Sequence, residues 1–368
     1  MHGRLMMVVT LLGVALWSGA CAPAPPVAGV APAAGAAAPA GQAAPSAPSA
    51  GSAAPTQAGA PRPPRTIKVD YASYSAVYAP HFIAAEKGYY AEEGLAMEMV
   101  QAPGTTGIAA VLSGETHFTT SASSSLSAIL TGSPMKIVYT NADRPGYELW
   151  SSAPEIRTLS DVSGKSVGIA GRGDTMEIST RLLLAKHGLN PDGVTFAALG
   201  FGSGRLAAVE SGAVAAAILG VADVERLKQD GPPSGHRLAD VSQEVKMLYT
   251  GVATGDRLIA EDPQLVYTFL RGTLKAREYF KRYKDETLAI LGKYNELPRE
   301  INEPDYESVL TTMTEDGTLA PDVQAADAKV RAEIIGAESQ RPTSEMYDYS
   351  FVTRAHEELG RAGWQPAR

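Results

Sequence analysis

Short apolar runs alternate with amphipathic stretches along the chain from residue 66 onward. Eight runs have the length and the β-branched or aromatic content of strands: 67–72, 95–100, 116–121, 135–140, 166–170, 194–199, 214–219 and 246–254. Helical spacing separates most of them, as in 79–87, 108–112, 124–130, 175–187 and 206–210. This alternation predicts an α/β fold with mainly parallel strands, and the pattern becomes helical from Asp262 onward.

The apolar pattern also contains an internal repeat. Residues Ile108–Gly114, IAAVLSG, recur 98 positions later as Leu206–Gly212, LAAVESG. Each copy follows a strand-like run and a glycine-rich turn, and each leads into another strand-like run. The repeat predicts two halves that are built alike, at about 66–140 and 165–220. The alternative is an unrelated recurrence, since strand, glycine turn and alanine-rich helix are common in α/β proteins.

Turns rich in Gly, Ser and Thr follow the predicted strands, at the sheet edge where α/β proteins bind ligands. The candidate ligand-binding residues in the first half are Ser73, Tyr74, Tyr78, Thr105, Thr106, Ser121, Ser123 and Asn141. Those in the second half are Arg172, Asp174, Thr175 and Ser203. Each hydroxyl could instead be a helix cap without a ligand, so the prediction depends on their convergence at one edge.

Charge and cysteine content exclude several classes of protein. Residues 66–368 contain 29 Lys and Arg against 40 Asp and Glu, a net charge of −11, which disfavours nucleic-acid binding. The chain has one cysteine, so disulfide scaffolds and zinc ribbons are excluded.

Enzyme and cofactor motifs are incomplete. Gly164-Lys165-Ser166 resembles the end of a P-loop, but Leu159 occupies the position of the first glycine. The six histidines form no pair at metal-ligand spacing. We therefore expect no cofactor, no metal and no catalytic residue.

The start of the chain has the features of an export signal followed by a linker. Residues 1–21 contain Arg4, an uncharged apolar run and small residues directly before Cys21, which predicts a lipoprotein signal peptide with Cys21 as the lipidated residue. A plain secretory signal is the alternative. Residues 22–65 are almost entirely Ala, Pro, Gly and Ser, so we expect a disordered linker.

One stretch resembles a known family. Residues Tyr78–Leu95, YAPHFIAAEKGYYAEEGL, are similar to the first helix and strand of ABC-importer solute-binding proteins of the nitrate, sulfonate, taurine and thiamine-pyrimidine group. Further similar segments are 112–115, 130–134, 159–168 and 206–217.

The resemblance implies a type II periplasmic-binding-protein fold, in which two lobes are joined by two crossover strands and completed by a helical C-terminal segment. The first lobe would comprise 66–150 with 255–368 returning to it, and the second lobe 151–254. Crossovers are expected near Leu149–Ser152 and Thr250–Thr254. The ligand would bind in the cleft between the lobes.

The resemblance further implies a monomeric, exported protein that is tethered to the membrane by lipid and delivers a small solute to an ABC permease and ATPase. Arg172 and Arg205 lie beside second-half turns and favour a sulfonate or carboxylate anion. Tyr74 and Tyr78 could instead stack on a ring-shaped ligand.

Two other functions stay open. A thiamine-pyrimidine-synthase-like enzyme would share the fold, but in that subgroup a His lies at the position of Tyr78 and a cysteine-rich stretch is present, whereas residues 66–368 contain no cysteine. A ligand-sensing lipoprotein without a permease is the third possibility.

Overall fold

The computed structural model describes residues 63–72, 75–102, 104–200, 202–229, 235–337 and 341–367. The predicted signal peptide with Cys21, and the predicted linker as far as residue 62, lie outside these ranges. So do the candidate site residues Ser73 and Tyr74.

Ten strands of the described chain form two five-stranded sheets. The first sheet has the order β2-β1-β3-β10-β4, with β1 Arg65–Tyr71, β2 Leu95–Gln101, β3 Phe118–Thr119, β4 Met135–Ala142 and β10 Thr250–Gly255. The second has the order β7-β6-β8-β5-β9, with β5 Tyr147–Ser151, β6 Ser166–Ile169, β7 Thr195–Ala198, β8 Ala216–Gly220 and β9 His236–Asp240. All eight strands predicted from the apolar pattern are present. That pattern did not predict β5 and β9, although the family resemblance indicated a crossover strand at the position of β5.

Each sheet contains one antiparallel strand that comes from the other half of the chain. In the first sheet, β10 pairs antiparallel with β3 and β4, and in the second, β5 pairs antiparallel with β8 and β9. The other four strands of each sheet point the same way, as the prediction of mainly parallel sheets requires. The chain passes between the sheets twice, at 143–146 and 245–249. The predicted crossover segments lie in β5 and β10, directly after these two passages.

The structure confirms the internal repeat. A shift of 98 positions brings β1, β2, β3 and β4 close to β6, β7, β8 and β9, and it brings α3 (Thr105–Ser113) onto α6 (Gly202–Glu210) within one residue. The two sheets therefore have the same strand order, with β10 and β5 in equivalent positions.

The remaining helices connect the strands and then form the C-terminal part. They are α1 Ala79–Glu86, α2 Tyr89–Glu92, α4 Ala122–Leu130, α5 Thr175–Lys186, α7 Val221–Gln229, α8 Val241–Glu244, α9 Asp256–Glu261, α10 Pro263–Arg282, α11 Lys284–Asn295, α12 Arg299–Thr312, α13 Pro321–Ile335, α14 Thr343–Met346 and α15 Ser350–Arg361. Short 3-10 turns lie at Ala76–Tyr78, Leu159–Val162 and Pro191–Gly193. Asp262 caps α10 by accepting a hydrogen bond from Leu265 N, as expected from the Asp-Pro start.

Separate apolar cores surround the two sheets. In the first core, β1 residues Ile67 and Val69 are buried together with α1 and α10, and the rings of Phe118 and Phe269 stack 4.1 Å apart. Helix α10 packs against α1 and α15, so the C-terminal helices complete this core. The second core contains Val167 and Ile218. In the ranges that the structure describes, each helix is too short or too polar to span a bilayer.

Candidate functional site

A short turn at the carboxyl edge of the first sheet positions Tyr78. Ser75 caps the 3-10 helix Ala76–Tyr78, because its hydroxyl accepts a hydrogen bond from Val77 N at 3.4 Å. Asn141, at the end of β4, donates from Nδ2 to the Val77 carbonyl at 2.8 Å and accepts from the Tyr139 hydroxyl at 2.8 Å. Asn141 therefore holds the turn against β4, and both its Nδ2 and its Oδ1 are hydrogen-bonded.

Three tyrosines gather where the chain passes between the two sheets. Tyr147 begins β5, directly after the first passage, and Tyr249 ends the second passage. Their rings form an edge-to-face pair with centroids 5.2 Å apart. Burial raises the pKa of both hydroxyls, and Tyr78 is close enough to add to the rise at each. We name Tyr78, Tyr147 and Tyr249 the tyrosine cluster.

Two carboxyl groups lie beside the tyrosine cluster. Asp174 caps α5 by accepting from Glu177 N at 2.9 Å and from Gly171 N at 2.8 Å. Burial raises the pKa of Asp174, and the charge of Asp174 in turn contributes to the raised pKa of Tyr147. Asp305, on α12, contributes in the same way to the raised pKa of Tyr249. The surroundings of the cluster are thus aromatic and rich in hydrogen-bond acceptors.

The charge of Arg205 reaches Tyr147 and Asp174, but this arginine is bound within its own half of the chain. Arg205 is 4% exposed, donates from Nε to the Ile218 carbonyl at 2.8 Å, and also donates to the Gly200 carbonyl. Its Nη2 lies 3.2 Å from Oδ2 of Asp223. The Asp223 carboxyl lies directly against Gly202, where a Cβ would overlap it. The start of α6 is therefore occupied by a carboxylate of the chain itself.

Arg172 also has a carboxylate partner, although it remains accessible. Its Nη1 lies 3.4 Å from Oε1 of Glu177, and its side chain is 63% exposed. Arg181 shares the same Glu177 carboxylate, with Nε at 3.0 Å from Oε1. Exposed ion pairs contribute little to stability. Arg172 could therefore leave Glu177 and bind a ligand at low cost in free energy.

The predicted hydroxyl residues have different environments. Thr105 and Thr106 are exposed in the first turn of α3, and Ser203 is exposed in the first turn of α6. Thr175, the first residue of α5, is partly exposed. These four match the expected position at strand-to-helix turns.

The two serines beside α4 are both buried. Ser123 accepts a hydrogen bond from Nη2 of Arg331 at 2.8 Å and belongs to the interior of the fold. The hydroxyl of Ser121 has no hydrogen-bond partner in the described chain. Ser121 therefore keeps a free polar group at the sheet edge, whereas Ser123 does not.

The prediction from sequence missed Tyr147, Tyr249 and Asp305. Tyr147 and Tyr249 lie just before the predicted crossover segments, so a search of the residues that flank the crossovers would have found them. Asp305 carries no local signal, because it reaches the site only through the packing of α12. Among the described residues, no group of three or more His, Cys, Asp or Glu could hold a metal ion.

Comparison with known proteins gives a family and a fold. The model of the NMT1/THI5-like family matches residues 75–287. The riboflavin-binding protein RibY of Chloroflexus aurantiacus is 30% identical over 207 residues, which cover 54% of this chain and 57% of that protein. The match thus spans little more than half the length of this relative.

Solved structures share the fold at low sequence identity. The periplasmic aliphatic sulphonate-binding protein SsuA from Escherichia coli has a TM-score of 0.64 at 15% identity, covering 78% of this chain and 99% of that one. The periplasmic nitrate-binding protein NrtA from Synechocystis PCC 6803 has a TM-score of 0.64 at 16% identity, covering 80% and 89%. These similarities support the two-lobed binding-protein fold.

Proposed function

The chain belongs to the NMT1/THI5-like family, and we propose that it is an exported solute-binding protein that captures a flat, uncharged heteroaromatic solute. Riboflavin is the first candidate. The observation that carries this proposal is the tyrosine cluster at the passages between the two sheets. The similarity to a riboflavin-binding protein supports the same ligand class.

The chemistry of the cluster suits a flavin. Tyrosine rings bind planar heterocycles by stacking and edge contacts, and they add a hydroxyl for hydrogen bonding. The ring system and hydroxylated chain of riboflavin present N–H and O–H donors, which the tyrosine hydroxyls and the remaining lone pairs of Asp174 can accept. Both oxygens of Asp174 already accept one bond each within the chain, from Gly171 N and Glu177 N. The carboxyl group of Asp305 is engaged by Ala76 N and acts on the turn that carries Tyr78.

A sulfonate or carboxylate anion is the second candidate. The observation in its favour is the exposed guanidinium of Arg172, in the turn after β6. Arg205 offers less, because Asp223 and two carbonyls already bind it. Arg172 would then hold the anion at the edge of the second sheet, together with Thr175 and the exposed Ser203.

The mechanism we propose is closure of the two lobes around the solute. The sheets are joined through two short passages, and each passage ends at or next to one tyrosine of the Tyr147–Tyr249 pair. A solute that contacts the tyrosines would favour the closed state, because it would bind the closed state more tightly than the open state. We propose lobes of 66–150 with 255–368 and of 151–254, and transfer of the solute from the closed monomer to an ABC permease and ATPase.

We also propose that the protein is tethered outside the cytoplasm. Residues 1–21 would be the signal, Cys21 the lipidated residue and 22–65 the linker. A single acyl chain binds membranes only marginally, so stable attachment needs the additional chains of a bacterial lipoprotein.

A thermal-shift panel separates the ligand candidates. It compares riboflavin, an alkanesulfonate, a dicarboxylate and nitrate with the mature chain. A cognate ligand at 100 times its Kd adds about 2.7 kcal/mol, or about 5 °C in Tm for a chain of this size. We expect a shift with riboflavin and none with the anions. A shift with the sulfonate alone would overturn the flavin assignment in favour of the anion.

An enzyme on the same fold would change its ligand. Mass spectrometry of riboflavin recovered after long incubation with the protein tests this. We expect an unchanged mass, and conversion to a product would contradict a function limited to binding.

A further inference from the structure

Asp305 holds the turn that carries Tyr78, although it lies on a distant C-terminal helix. Oδ2 of Asp305 accepts a hydrogen bond from Ala76 N at 2.6 Å, and the Ser75 hydroxyl also donates to this carboxyl. Asp305 is buried at 8% exposure, and α12 packs against the turn. Its carboxyl therefore replaces the missing hydrogen-bond partner at the start of the 3-10 helix.

The same helix contacts the second half of the molecule. Helix α12 packs against α7, which carries Asp223, and the charge of Asp223 reaches the Asp305 carboxyl. Asp223 is itself fixed by Arg205 and by a 3.4 Å hydrogen bond from Gly220 N. Two acidic side chains are thus brought near each other where the C-terminal helices meet the helices of the second sheet.

We propose that Asp305 is a positioning residue which links the α7–α12 contact to the position of Tyr78, and that its protonation strengthens solute binding. This inference rests on the proposed function, because it concerns affinity at the tyrosine cluster. An ionised Asp305 repels Asp223 and opposes the α7–α12 contact. A neutral Asp305 removes the repulsion, while its oxygens still accept the bond from Ala76.

The direction of the pKa shift of Asp305 agrees with the proposed repulsion by Asp223. Burial raises it from 3.8 to about 6, the bonds from Ala76 and Ser75 oppose the rise, and the charge of Asp223 adds to it. A raised pKa means that the contribution to stability is complete below pH 3.8 and is lost as the pH rises through about 6. Ionisation of Asp305 restores its repulsion with Asp223, so on this proposal solute affinity weakens as the pH rises through about 6.

The other charged groups on the elements around Asp305 have partners elsewhere or are exposed. Tyr249 is a further titratable neighbour among the described residues. On α11, Lys284 pairs with Glu303 and Glu307, Asp285 with Arg299, and Lys293 with Glu86. On α7, Glu225 pairs with Lys228, and Arg226 is exposed. Asp223 is thus the charge whose removal tests the proposal.

The first experiment measures the riboflavin Kd between pH 5 and 7.5 for wild type, Asp305→Asn, Asp223→Asn and Glu300→Gln. The amide introduced by Asp305→Asn keeps an acceptor for Ala76 but has no charge. Glu300 is an exposed carboxylate on α12, so its neutralisation is the matched control. We expect the riboflavin affinity of wild type and of Glu300→Gln to fall about three- to tenfold from pH 5 to pH 7.5. The affinity of Asp305→Asn should stay constant over the same range. An Asp305→Asn variant with the wild-type slope would overturn the proposal.

The second experiment needs no ligand and therefore separates this proposal from the choice of riboflavin. The amide proton of Ala76 is followed by NMR in the ligand-free chain from pH 4 to 8. In wild type, we expect the chemical shift of this proton to change with pH with a midpoint near 6. The midpoint should lie at lower pH in Asp223→Asn, and the titration should be absent in Asp305→Asn. An Ala76 amide that does not titrate in wild type, or keeps its midpoint in Asp223→Asn, would overturn the link to Asp223 even if riboflavin binds.

Discussion

Arg205 and Asp223 form an ion pair beneath the start of α6, with Nη2 and Oδ2 3.2 Å apart and side-chain exposures of 4% and 17%. The N-terminus of a helix attracts anions. Here a carboxylate of the chain lies against Gly202, the first residue of α6, and Arg205 pairs with it. This pair reduces the attraction of the second-half turns for an anionic solute.

Loss of Arg205 is expected to affect stability. Arg205→Met leaves the Asp223 carboxylate without its cation in a largely buried place, which costs about 3 to 5 kcal/mol. Urea unfolding measures this loss. Arg172→Met is the control, because the Arg172–Glu177 pair is exposed on the arginine side and its removal costs about 1 kcal/mol or less. Equal losses in the two variants would contradict the structural role of Arg205.

His81 makes the fold sensitive to mild acid. Its Nδ1 lies 2.9 Å from the Tyr90 hydroxyl, and its ring stacks on Phe269 at 5.7 Å. Burial lowers the pKa of His81 from 6.5 to about 4. As the pH falls from 6.5 to 4, the unfolded chain binds a proton that the folded chain refuses, so stability falls by about 1.4 kcal/mol per pH unit.

Urea unfolding between pH 7.5 and 4.5 tests this acid sensitivity. The stability of His81→Gln should depend less steeply on pH than that of wild type. His356 is exposed, so the stability of His356→Gln should depend on pH as in wild type. A wild-type slope in His81→Gln would show that His81 does not cause the acid loss.

Asp70 has the opposite effect on the pH dependence. Its Oδ1 accepts a hydrogen bond from the Thr119 hydroxyl at 2.8 Å, but Oδ2 has no partner among the described residues. Burial raises the pKa of Asp70 from 3.8 to about 7, against the effect of the bonds from Thr119 and Thr120. Its contribution to stability is complete below pH 3.8 and is lost as the pH rises through about 7.

Neutralisation of Asp70 should therefore stabilise the protein in alkaline buffer. We expect the free energy of unfolding of Asp70→Asn to exceed that of wild type by about 1 to 3 kcal/mol at pH 8.5, with a smaller difference at pH 5. Denaturant midpoints at the two pH values measure it. Glu98→Gln on the neighbouring strand β2 removes an exposed carboxylate and should change little. A destabilised Asp70→Asn at pH 8.5 would contradict an unfavourable buried charge.

Cys21 should attach the mature protein to the membrane. We expect Cys21→Ala to leave the membrane fraction of a lipoprotein-processing bacterium with unchanged solute affinity, because 22–65 separates Cys21 from the folded part. Fractionation and the mass of the mature N-terminal peptide are the measurements. A wild-type peptide without lipid mass would refute the lipid anchor and leave the binding function untouched.

Much of the fold could be predicted from local pattern. The repeat from Ile108 to Leu206 indicated two similar sheets, because each copy contains its own strands and helix. The apolar pattern missed strands β5 and β9 for a physical reason, although the family resemblance indicated a crossover strand at the position of β5. Strand β9 lies at a sheet edge and carries His236, Arg237 and Asp240, so it lacks an apolar run. Strand β5 is inserted antiparallel between β8 and β9, and this pairing leaves no local signal.

The candidate site was harder to predict, because its contacts are long-range. Turn chemistry located Tyr78 and Asp174 at strand ends. It could not indicate that Tyr147 meets Tyr249, since the two residues are far apart in the sequence and lie at the ends of different passages. It also could not show that Asp223 binds Arg205, because α7 must first return to the start of α6.

Titration of riboflavin fluorescence with the mature wild-type chain tests the central claim most directly, with Tyr147→Phe and Tyr147→Ala measured alongside. The claim predicts saturable one-to-one quenching that Tyr147→Phe retains, because the ring is kept, and that Tyr147→Ala weakens about tenfold or more. Absence of quenching at high protein concentration, or wild-type affinity in Tyr147→Ala, would contradict a heteroaromatic solute bound at the tyrosine cluster.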